Sequence, residues 1–584
     1  MLLPFFWRLI IRACTAVGAM VLISVLVGAF YASSQTAPPL PDRMILSLTL
    51  DQDFAEHEND ALAGIPGFAD KQPPTIRDVV DALERAADDP RVVGLVAEMK
   101  GGPGNLAHLQ ELRAALGRFR TLHGKPAYIY ASSYGEAGGL GAYYLASAFD
   151  QIWLQPMGTV SVSGLRAEMP FARDALDRLG IAPEFFARKE YKSIFESLTD
   201  REMSPANRTA TQALIDDLGT RMVAEIAQDR GLSEMTVKTQ LDKGLLTDEE
   251  ALAAGLVQRV DYPDILKAEM MTDAETDVSL SRYIHGLAHE RKAAAKGKKD
   301  DPRTWVALVY AVGAIVSDGD SGFYGEESAS AATISEDILS AAEDDSIKAI
   351  ILRIDSPGGS PTASETIRRA IVRAREEYNK PVIVSMGATA ASGGYWIASP
   401  ADRIFALPGS LTGSIGVAGG KVALTGLWNK IGVNWDAVQY GDNTGLWSLN
   451  APLSESGTER FNALMDRTYE GFIARVAEGR HMSPEDVDNV ARGRVWSGAQ
   501  AQQRGLVDAL GGLSAALDYT AETLGVANRD DLAVVVLPRP LSPFEKITDL
   551  IEGQVRVGES LKVFAGLLVP LQAVFEPSAL TIKP

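Results

Sequence analysis

Cysteine and histidine are scarce in this 584-residue chain, and their scarcity argues against several kinds of chemistry. A single cysteine, Cys14, leaves no intrachain disulfide and no cysteine metal cluster. The six histidines are scattered. Those nearest to Ser392 in the sequence, namely His285, His289 and His481, lie in polar segments, which argues against a Ser/His/Asp triad. The net charge of −20 argues against non-specific nucleic-acid binding, because phosphate backbones repel an acidic surface.

Long uncharged runs are equally scarce, and the one that could span a membrane lies near the N-terminus. Arg8 and Arg12 precede an uncharged stretch from Ala13 to Tyr31, which as a helix roughly spans a ~30 Å hydrocarbon core. Positive charge before the stretch predicts a cytoplasmic N-terminus, with the rest of the chain across the membrane. We therefore expect a single-pass anchor; the alternative is a signal peptide cleaved near "YASSQ".

The chain repeats itself. "GAYYLASAFDQIWLQP" (141–156) matches "GGYWIASPADRIFALP" (393–408) at an offset of 252 residues without a gap. Residues 91–102 likewise resemble 346–359, and 251–257 resemble 501–507. A length of 584 residues with 46% hydrophobic content suits two large globular copies.

These matches predict five segments. They are an N-terminal tail, anchor and linker (1–42), a first repeat (43–288), a charged linker (289–302), a second repeat (303–540) and a C-terminal extension (541–584). The end of the extension, 567–584, is apolar enough to pack against protein or to touch a membrane.

Each copy alternates apolar strand patterns with helical ones. In the second copy, "AIILRID" (349–355), "PVIVSMG" (381–387) and "DRIFALP" (402–408) predict buried strands. The stretch 362–379 has helical periodicity, and Thr362 with Glu365 suggests its N-terminal capping box. Strands joined through helices predict parallel pairing, so each copy is expected to be an α/β domain.

The two copies have lost different polar residues. At the 252-residue offset, Ser392 of the second copy corresponds to Leu140, whereas Lys192 of the first copy corresponds to Thr444. One active site assembled from both copies explains this reciprocal pattern; the alternative is drift, with one live copy and Lys192 on the surface. A serine needs a base to take its proton, and a lysine serves only when burial lowers its pKa.

The glycine-rich turn "IDSPGGS" (354–360) directly follows a predicted strand. Glycines let backbone N–H groups point at an anion, so this turn and the N–H of Gly393 could form an oxyanion hole. Taken alone, the turn is also compatible with an ordinary loop.

Several stretches together resemble the signal peptide peptidase A family in its long, duplicated, membrane-anchored form. They are "LRIDSPGGSPTASE" (352–365), "VSMGATAASGGYWIASPADRI" (384–404), "LTGSIGV" (411–417) and "YKSIFESLTDREMSP" (191–205). The resemblance implies tandem ClpP/crotonase-like domains with an N-terminal transmembrane helix. The last stretch is more acidic than expected, which would raise the pKa of the lysine if its carboxylates faced that side chain.

The resemblance also implies roles for individual residues. Ser392 matches the family nucleophile, Lys192 the general base and Ser414 a serine that orients the lysine. Without the family, Ser414 is equally compatible with a hydroxyl that caps a turn.

Gly359 and Gly393 match the oxyanion donors, with Gly358 as a close alternative. No metal or other cofactor is implied.

The implied activity is a serine endopeptidase that degrades remnant signal peptides. The family further implies a homotetramer in the bacterial inner membrane with periplasmic catalytic domains. Two other hypotheses for the function stay open: an acyl-CoA-processing enzyme of the same fold, and a non-catalytic oligomeric membrane scaffold. The membrane anchor and the reciprocal Ser/Lys pattern argue against the first. The joint retention of both dyad candidates and the glycine-rich turn argues against the second.

Overall fold

The computed structural model describes residues 39–57, 74–101, 104–135, 139–271, 276–295, 302–317 and 328–538. The expected anchor (Ala13 to Tyr31) and the C-terminal extension (541–584) lie outside these ranges. Among the helices within them, none is both long and apolar enough to cross a membrane.

The first repeat is built around a parallel six-stranded sheet with helices packed against it, and among the described residues three further strands lie outside that sheet. Its strands are β1 (Met44–Leu50), β2 (Val92–Met99), β3 (Ala127–Ala131), β4 (Gln151–Leu154), β5 (Thr159–Ser161), β6 (Ala182–Arg188), β7 (Leu245–Thr247), β8 (Arg259–Val260) and β9 (Thr276–Ser279). Its helices are α1 (Ile76–Asp88), α2 (Leu106–His123), α3 (Gly141–Ala146), α4 (Arg173–Leu179), α5 (Glu196–Thr199), α6 (Pro205–Arg230), α7 (Glu234–Lys243), α8 (Asp248–Ala253), α9 (Pro263–Met270) and α10 (Leu280–Ala295). The sheet order is β8-β4-β3-β2-β1-β9, and every pairing in it is parallel. Strands β5, β6 and β7 are the three that lie outside it among the described residues.

The second repeat follows the same plan. Its strands are β10 (Thr304–Val312), β11 (Ala314–Val316), β12 (Ser328–Ser330), β13 (Ile347–Ser356), β14 (Val382–Ala391), β15 (Arg403–Ala406), β16 (Leu411–Gly413), β17 (Val417–Ala423), β18 (Val495–Ser497), β19 (Ala509–Leu510) and β20 (Leu532–Leu537). Its helices are α11 (Ala331–Glu343), α12 (Pro361–Glu376), α13 (Gly393–Ala398), α14 (Thr425–Ile431), α15 (Glu455–Arg480), α16 (Pro484–Val490), α17 (Gly498–Gln502) and α18 (Leu513–Thr523), with a 3-10 turn at Arg529–Asp531. The order β19-β15-β14-β13-β10-β20 is parallel throughout, as the sequence predicted.

The strands form because both faces of the second sheet are buried. One face of β13 and β14 packs against α11, α12 and α13, and the other face packs against α18. Such two-sided burial explains the continuous apolar runs in the sequence.

The predicted cap of α12 is wrong in detail. Ser360, and not Thr362, accepts the hydrogen bond from the backbone N–H of Ala363, while Glu365 turns to Trp396 and Arg368. Pro361 at the first helical position fixes the start of the helix directly after Ser360.

The stretch 289–302, expected to be a linker, begins inside a helix. Helix α10 continues to Ala295, and Glu290 forms an ion pair with Arg91 of the first repeat at 2.7 Å. The helical structure of the first repeat therefore extends past residue 288.

A two-stranded sheet joins the two repeats. Strand β6 of the first repeat pairs antiparallel with β17 of the second, from Ala182 with Ala423 to Arg188 with Val417. The chain leaves β6 only a few residues before Lys192, so this pairing carries the lysine to the second repeat.

Candidate active site

Ser392 lies at the corner between strand β14 and helix α13. Its backbone has a φ of 55° and a ψ of −118°, which a residue with a side chain adopts only under strain. Its N–H donates to the carbonyl oxygen of Gly413 at 2.9 Å, and its own carbonyl accepts from the N–H of Trp396 at 2.9 Å. These bonds hold the corner, where Ser392 is half-buried.

Glycines beside the corner are required by close contact. A Cβ on Gly358 would lie 2.6 Å from the backbone nitrogen of Gly393 and 2.8 Å from Ser392 Cβ. A Cβ on Gly393 would lie 2.6 Å from Ser364 Oγ and 3.0 Å from the Gly359 nitrogen. The turn that follows β13 thus packs directly on the serine corner, as the sequence predicted from the two motifs.

Backbone hydrogen bonds separate the two alternative glycines of this turn. The N–H of Gly358 already donates to Ser356 Oγ at 3.1 Å. The N–H groups of Gly359 and Gly393, by contrast, donate to none of the residues that the structure describes. Gly359 and Gly393 therefore have amides available for an oxyanion, and Gly358 serves the shape of the turn.

Lys192 comes from the first repeat and reaches Ser392 of the second. Its Nζ lies 3.0 Å from Ser392 Oγ, 3.0 Å from Ser414 Oγ and 3.0 Å from the Ser414 carbonyl oxygen. The three residues that the sequence singled out from separate stretches are thus brought together around one amine.

Burial lowers the pKa of Lys192 to about 8. Desolvation penalises the ammonium form, and it is the cause of the shift. The acidic segment after the lysine does not raise its pKa: Glu196 accepts from Ser204 and Asn207 instead, and Asp200 is exposed. At neutral to mildly alkaline pH, a substantial fraction of Lys192 is therefore a neutral amine.

Ser414 has a φ of 49°, so its backbone is also in the left-handed region. Its N–H donates to the carbonyl oxygen of Arg494 at 2.7 Å. Both its hydroxyl and its carbonyl face Lys192 Nζ, which makes it a group that can direct the amine.

In the other copy, the positions that correspond to Ser392 and Lys192 hold neither a serine nor a lysine. Leu140 is buried at the start of a helix, with a φ of −79°, where the second repeat has Ser392. Thr444 is exposed on a surface turn, where the first repeat has Lys192. Each repeat therefore supplies one half of the serine–lysine contact.

Ser356 is a residue that the sequence reasoning missed. Its side chain is buried and holds the Gly358 amide, which fixes the turn that carries Gly359. It stands inside the "IDSPGGS" motif, so its place directly before the turn was the available signal.

Parallel α/β repeats with a serine at a strained corner, a desolvated lysine amine and free backbone amides define a serine peptidase. The chain belongs to peptidase family S49, whose family model matches residues 120–277 and 374–527, one stretch in each repeat.

Curated relatives agree with this assignment. Protease 4 of Haemophilus influenzae is 33% identical over 536 residues, which cover 88% of this chain and 84% of that protein. The putative signal peptide peptidase SppA of Enterococcus faecium is 32% identical over 206 residues, or 35% of this chain and 60% of that protein.

Among solved structures, a ClpP1 mutant from Listeria monocytogenes aligns with a TM-score of 0.24. It is 18% identical and covers 35% of this chain and 91% of its own. A likeness this weak carries no argument, whereas the strand order of the two sheets defines the fold directly.

Proposed function

We propose that the chain is a membrane-anchored serine endopeptidase whose catalytic dyad is Ser392 and Lys192, one from each repeat. The observation that carries the proposal is the 3.0 Å contact between Lys192 Nζ and Ser392 Oγ. The depressed pKa of the lysine, about 8, supports its role as a base.

The reaction begins when the neutral amine of Lys192 accepts the proton of Ser392 Oγ. The two hydrogens of that amine point to the hydroxyl and the carbonyl oxygen of Ser414, which leaves its lone pair for Ser392. The alkoxide attacks the peptide carbonyl, and Lys192 then donates its proton to the leaving amine. Water hydrolyses the acyl-enzyme with Lys192 again as the base.

The oxyanion of the tetrahedral intermediate accepts from the N–H groups of Gly359 and Gly393. Both amides lie beside Ser392, and neither is engaged by another described residue. Such preorganised donors strengthen as negative charge develops on the oxygen. The dyad, Ser414 and these amides complete the proposed chemistry without a metal or other cofactor.

The proposed substrates are apolar remnants of signal peptides. The name of the Enterococcus faecium relative and the expected anchor (Ala13 to Tyr31) support this choice. An anchor in the bacterial inner membrane, with a cytoplasmic N-terminus and periplasmic repeats, would hold the site near such peptides.

The proposed assembly is a homotetramer, a ring in which the contact between repeats is reused between chains. The counterparts of β17 and β6, at 165–171 and 434–440, form no strand in the described chain. The second of these segments exposes Trp435, Val438 and Tyr440. Pairing 434–440 of one chain with 165–171 of the next would cover these side chains and close a ring by head-to-tail contacts.

The ring is tested by light scattering of the full chain in detergent. The native chain is expected at about four times 62.5 kDa, and Val438→Lys with Tyr440→Glu at the mass of one chain. Leu464→Lys, at another exposed apolar position, is the control and should keep the native mass. A native mass of one chain would refute the ring.

The dyad is tested by cleavage of a short apolar fluorogenic peptide by the full chain in detergent. Ser392→Ala and Lys192→Ala are expected to fall to background while they stay folded, whereas Thr444→Ala, at the repeat counterpart of the lysine, keeps native activity. Full activity of Lys192→Ala between about pH 6 and 10 would show that another group is the base. If the native chain cleaves no peptide and binds acyl-CoA instead, the result would support the hypothesis of an acyl-CoA-processing enzyme.

A further inference from the structure

A short turn of the second repeat contacts both the segment that carries Lys192 and the segment that carries Ser414. This bridging turn, Ala491–Arg494, follows helix α16 and leads into strand β18. Arg492 and Gly493 have φ values of 55° and 81°, so two successive residues are in the left-handed region. Such backbone persists only where the surroundings hold it in place.

The bridging turn packs against the lysine segment along its backbone. The N–H of Tyr191 donates to the carbonyl oxygen of Arg492 at 3.1 Å. A Cβ on Gly493 would lie 2.6 Å from both the backbone nitrogen and the Cβ of Lys192, and 2.8 Å from its Cα. The absence of a side chain at Gly493 therefore lets the lysine approach this closely.

The same turn also holds the segment that receives the lysine amine. The N–H of Gly493 donates to the carbonyl oxygen of Ile415 at 2.8 Å, and the N–H of Ser414 donates to the carbonyl oxygen of Arg494 at 2.7 Å. A Cβ on Gly416 would lie 2.7 Å from the Gly493 Cα. Base and orienting serine are thus both positioned by one short piece of backbone.

Side chains of the turn reinforce the contact on either flank. Arg492 Nε donates to Glu190 Oε1 at 2.8 Å, and the Arg494 guanidinium lies 5.1 Å from the ring centre of Tyr191 and 4.2 Å from that of Trp496. Stacking of this kind fixes the Tyr191 ring beside the lysine.

The first repeat shows which part of this arrangement the fold itself needs. There the N–H of Val162 donates to the carbonyl oxygen of Gly244 at 2.8 Å, in the place of the bond from Ser414 to Arg494. Lys243 stands where the second repeat has Gly493, and Gly244 where it has Arg494. The backbone bond is common to both copies, whereas the glycine and the arginine occur in the copy that receives the lysine.

We propose that the bridging turn is the positioning element of the base, with Gly493 as the residue that sets the distance from Lys192 to Ser392 and Ser414. Gly493 touches no substrate atom and acts through the lysine. The inference rests on the proposed serine–lysine dyad. Residues about 100 positions beyond the serine thus define the geometry of a base that lies about 200 positions before it.

The test compares Gly493→Ala with Gly525→Ala in the full chain in detergent. Gly525 also has a positive φ, 68°, but its Cβ would meet no atom within 4 Å, so this control carries the backbone strain without the contact. Gly493→Ala is expected to lose about 100-fold in kcat with KM within about twofold, because a displacement near 1 Å has such an effect. Gly525→Ala should keep kcat within about threefold.

The pH profile provides a readout that a purely structural role would not move. The charged groups on the elements packed beside the lysine are Glu190, Arg492 and Arg494, together with Lys189 and Asp488. Desolvation alone causes the lowered pKa of Lys192. Native kcat/KM should rise with a midpoint near the lysine pKa of about 8. In Gly493→Ala the displaced amine is more hydrated, and its midpoint should move toward the ordinary value of about 10.4.

A second variant decides the matter if Gly493→Ala does not fold. Arg494→Met removes the guanidinium from the Tyr191 ring and is expected to lower kcat about tenfold and to shift the midpoint upward, with partial rescue in Arg494→Lys. Native kcat and midpoint in the folded variants, with an inactive Lys192→Ala, would overturn the inference and leave the dyad intact. Full activity of Lys192→Ala would instead refute the dyad itself.

Discussion

The two repeats share the contacts that hold each fold together and differ at the positions that carry chemistry. Arg120 of the first repeat bonds to Asp150 at 2.7 Å, and Arg375 of the second bonds to Asp402 at 2.9 Å, from equivalent helices to equivalent corners. Each aspartate also accepts from the first N–H of a central strand. Duplication therefore preserved the supports of the sheet in both copies.

At the candidate site the two repeats keep different groups: one carries the lysine and the other carries the serine. The first repeat gives up the serine corner, because Leu140 fills it with buried apolar volume, and keeps Lys192 on the segment after β6. The second repeat keeps the corner and accepts the lysine through the β6–β17 pairing. Neither repeat holds both groups of the proposed dyad, so the junction between the repeats is part of the candidate site.

The largest expected effect comes from an attempt to reverse this division. Ser392→Ala should abolish peptide cleavage, and Leu140→Ser added to it should restore none, because the hydrogen bonds of Lys192 Nζ among described residues go to Ser392 and Ser414. Peptide cleavage and labelling by a serine-reactive phosphonate measure both variants, with melting temperature as the control for folding. Cleavage or labelling regained in the double variant would mean that the first copy retains a working site.

A buried charge at the junction gives the next largest effect. Arg353 donates to Glu56 at 2.9 Å and to Glu111 at 3.0 Å, so two carboxylates of the first repeat meet one arginine of the second. Arg353→Met removes the guanidinium that both buried carboxylates share, while Glu56 keeps its contact with His108 at 2.9 Å. The substitution should destabilise the protein by about 3–5 kcal/mol. Denaturant unfolding measures this loss.

The first copy supplies the matched control for that substitution. Glu98 stands at the place of Arg353 and pairs with Lys100 at 3.1 Å on the surface. Glu98→Met should change stability by less than about 1 kcal/mol, because exposed pairs contribute little. Equal losses in the two variants would contradict the view that the junction depends on the buried cluster.

Replacing a glycine of the turn beside the serine is expected to lower kcat in the second copy, whereas the same change in the first copy should not. Gly358→Ala places a Cβ 2.6 Å from the nitrogen of Gly393, which is one of the two proposed oxyanion donors. Displacing that donor should lower kcat by about 10²–10³, the typical effect of losing one. Gly104→Ala, in the corresponding turn of the first copy, would meet its neighbours at 3.3 Å or more and should keep kcat. Steady-state kinetics on both variants measures the contrast, and equal kcat would remove the turn from the mechanism.

The pH dependence of activity tests whether Lys192, from the first repeat, is the base. Below a pKa of about 8 the ammonium form predominates and cannot accept the serine proton, so kcat/KM should rise about tenfold per pH unit and level off above it. Asp200→Asn should leave the midpoint unchanged, because this carboxylate is exposed. A midpoint of the kcat/KM profile at about pH 6.5 would indicate a histidine as the base.

Much of this comparison could be predicted from the sequence. The buried strands of the second repeat and their parallel order follow from continuous apolar runs joined through helices. The pairing of Ser392 with Lys192 was expected from the reciprocal replacements at Leu140 and Thr444. The second inference was possible because the chain contains its own second copy as a reference, and the 3.0 Å contact of Lys192 Nζ with Ser392 Oγ agrees with it.

The remainder depends on contacts that no local pattern encodes. Arg353 lies in a largely apolar run that also contains Asp355. Its partners Glu56 and Glu111 lie 297 and 242 positions away. The bridging turn contacts Lys192 from about 300 positions further along the chain. The cap of α12 was misplaced because Ser360 and Thr362 both suit an N-terminal cap, and the choice depends on where Pro361 starts the helix.

The smallest expected effect concerns a contact that both copies keep. Tyr143 donates to the carbonyl oxygen of Leu256 at 2.7 Å, and Tyr395 donates to that of Leu506 at 2.9 Å. Tyr→Phe at either position leaves a buried carbonyl without its donor and should cost about 1–2 kcal/mol, which amide hydrogen exchange can read separately in each repeat.

Activity decides whether this shared contact is only a support of the fold. Tyr395 lies three residues after Ser392 on helix α13, whereas Tyr143 lies in the copy without the serine. If the contact supports the fold alone, Tyr395→Phe and Tyr143→Phe should both keep kcat within about twofold at a temperature where they are folded. A tenfold loss confined to Tyr395→Phe would mean that the hydroxyl of the second copy also fixes the serine corner, because only that copy carries the serine.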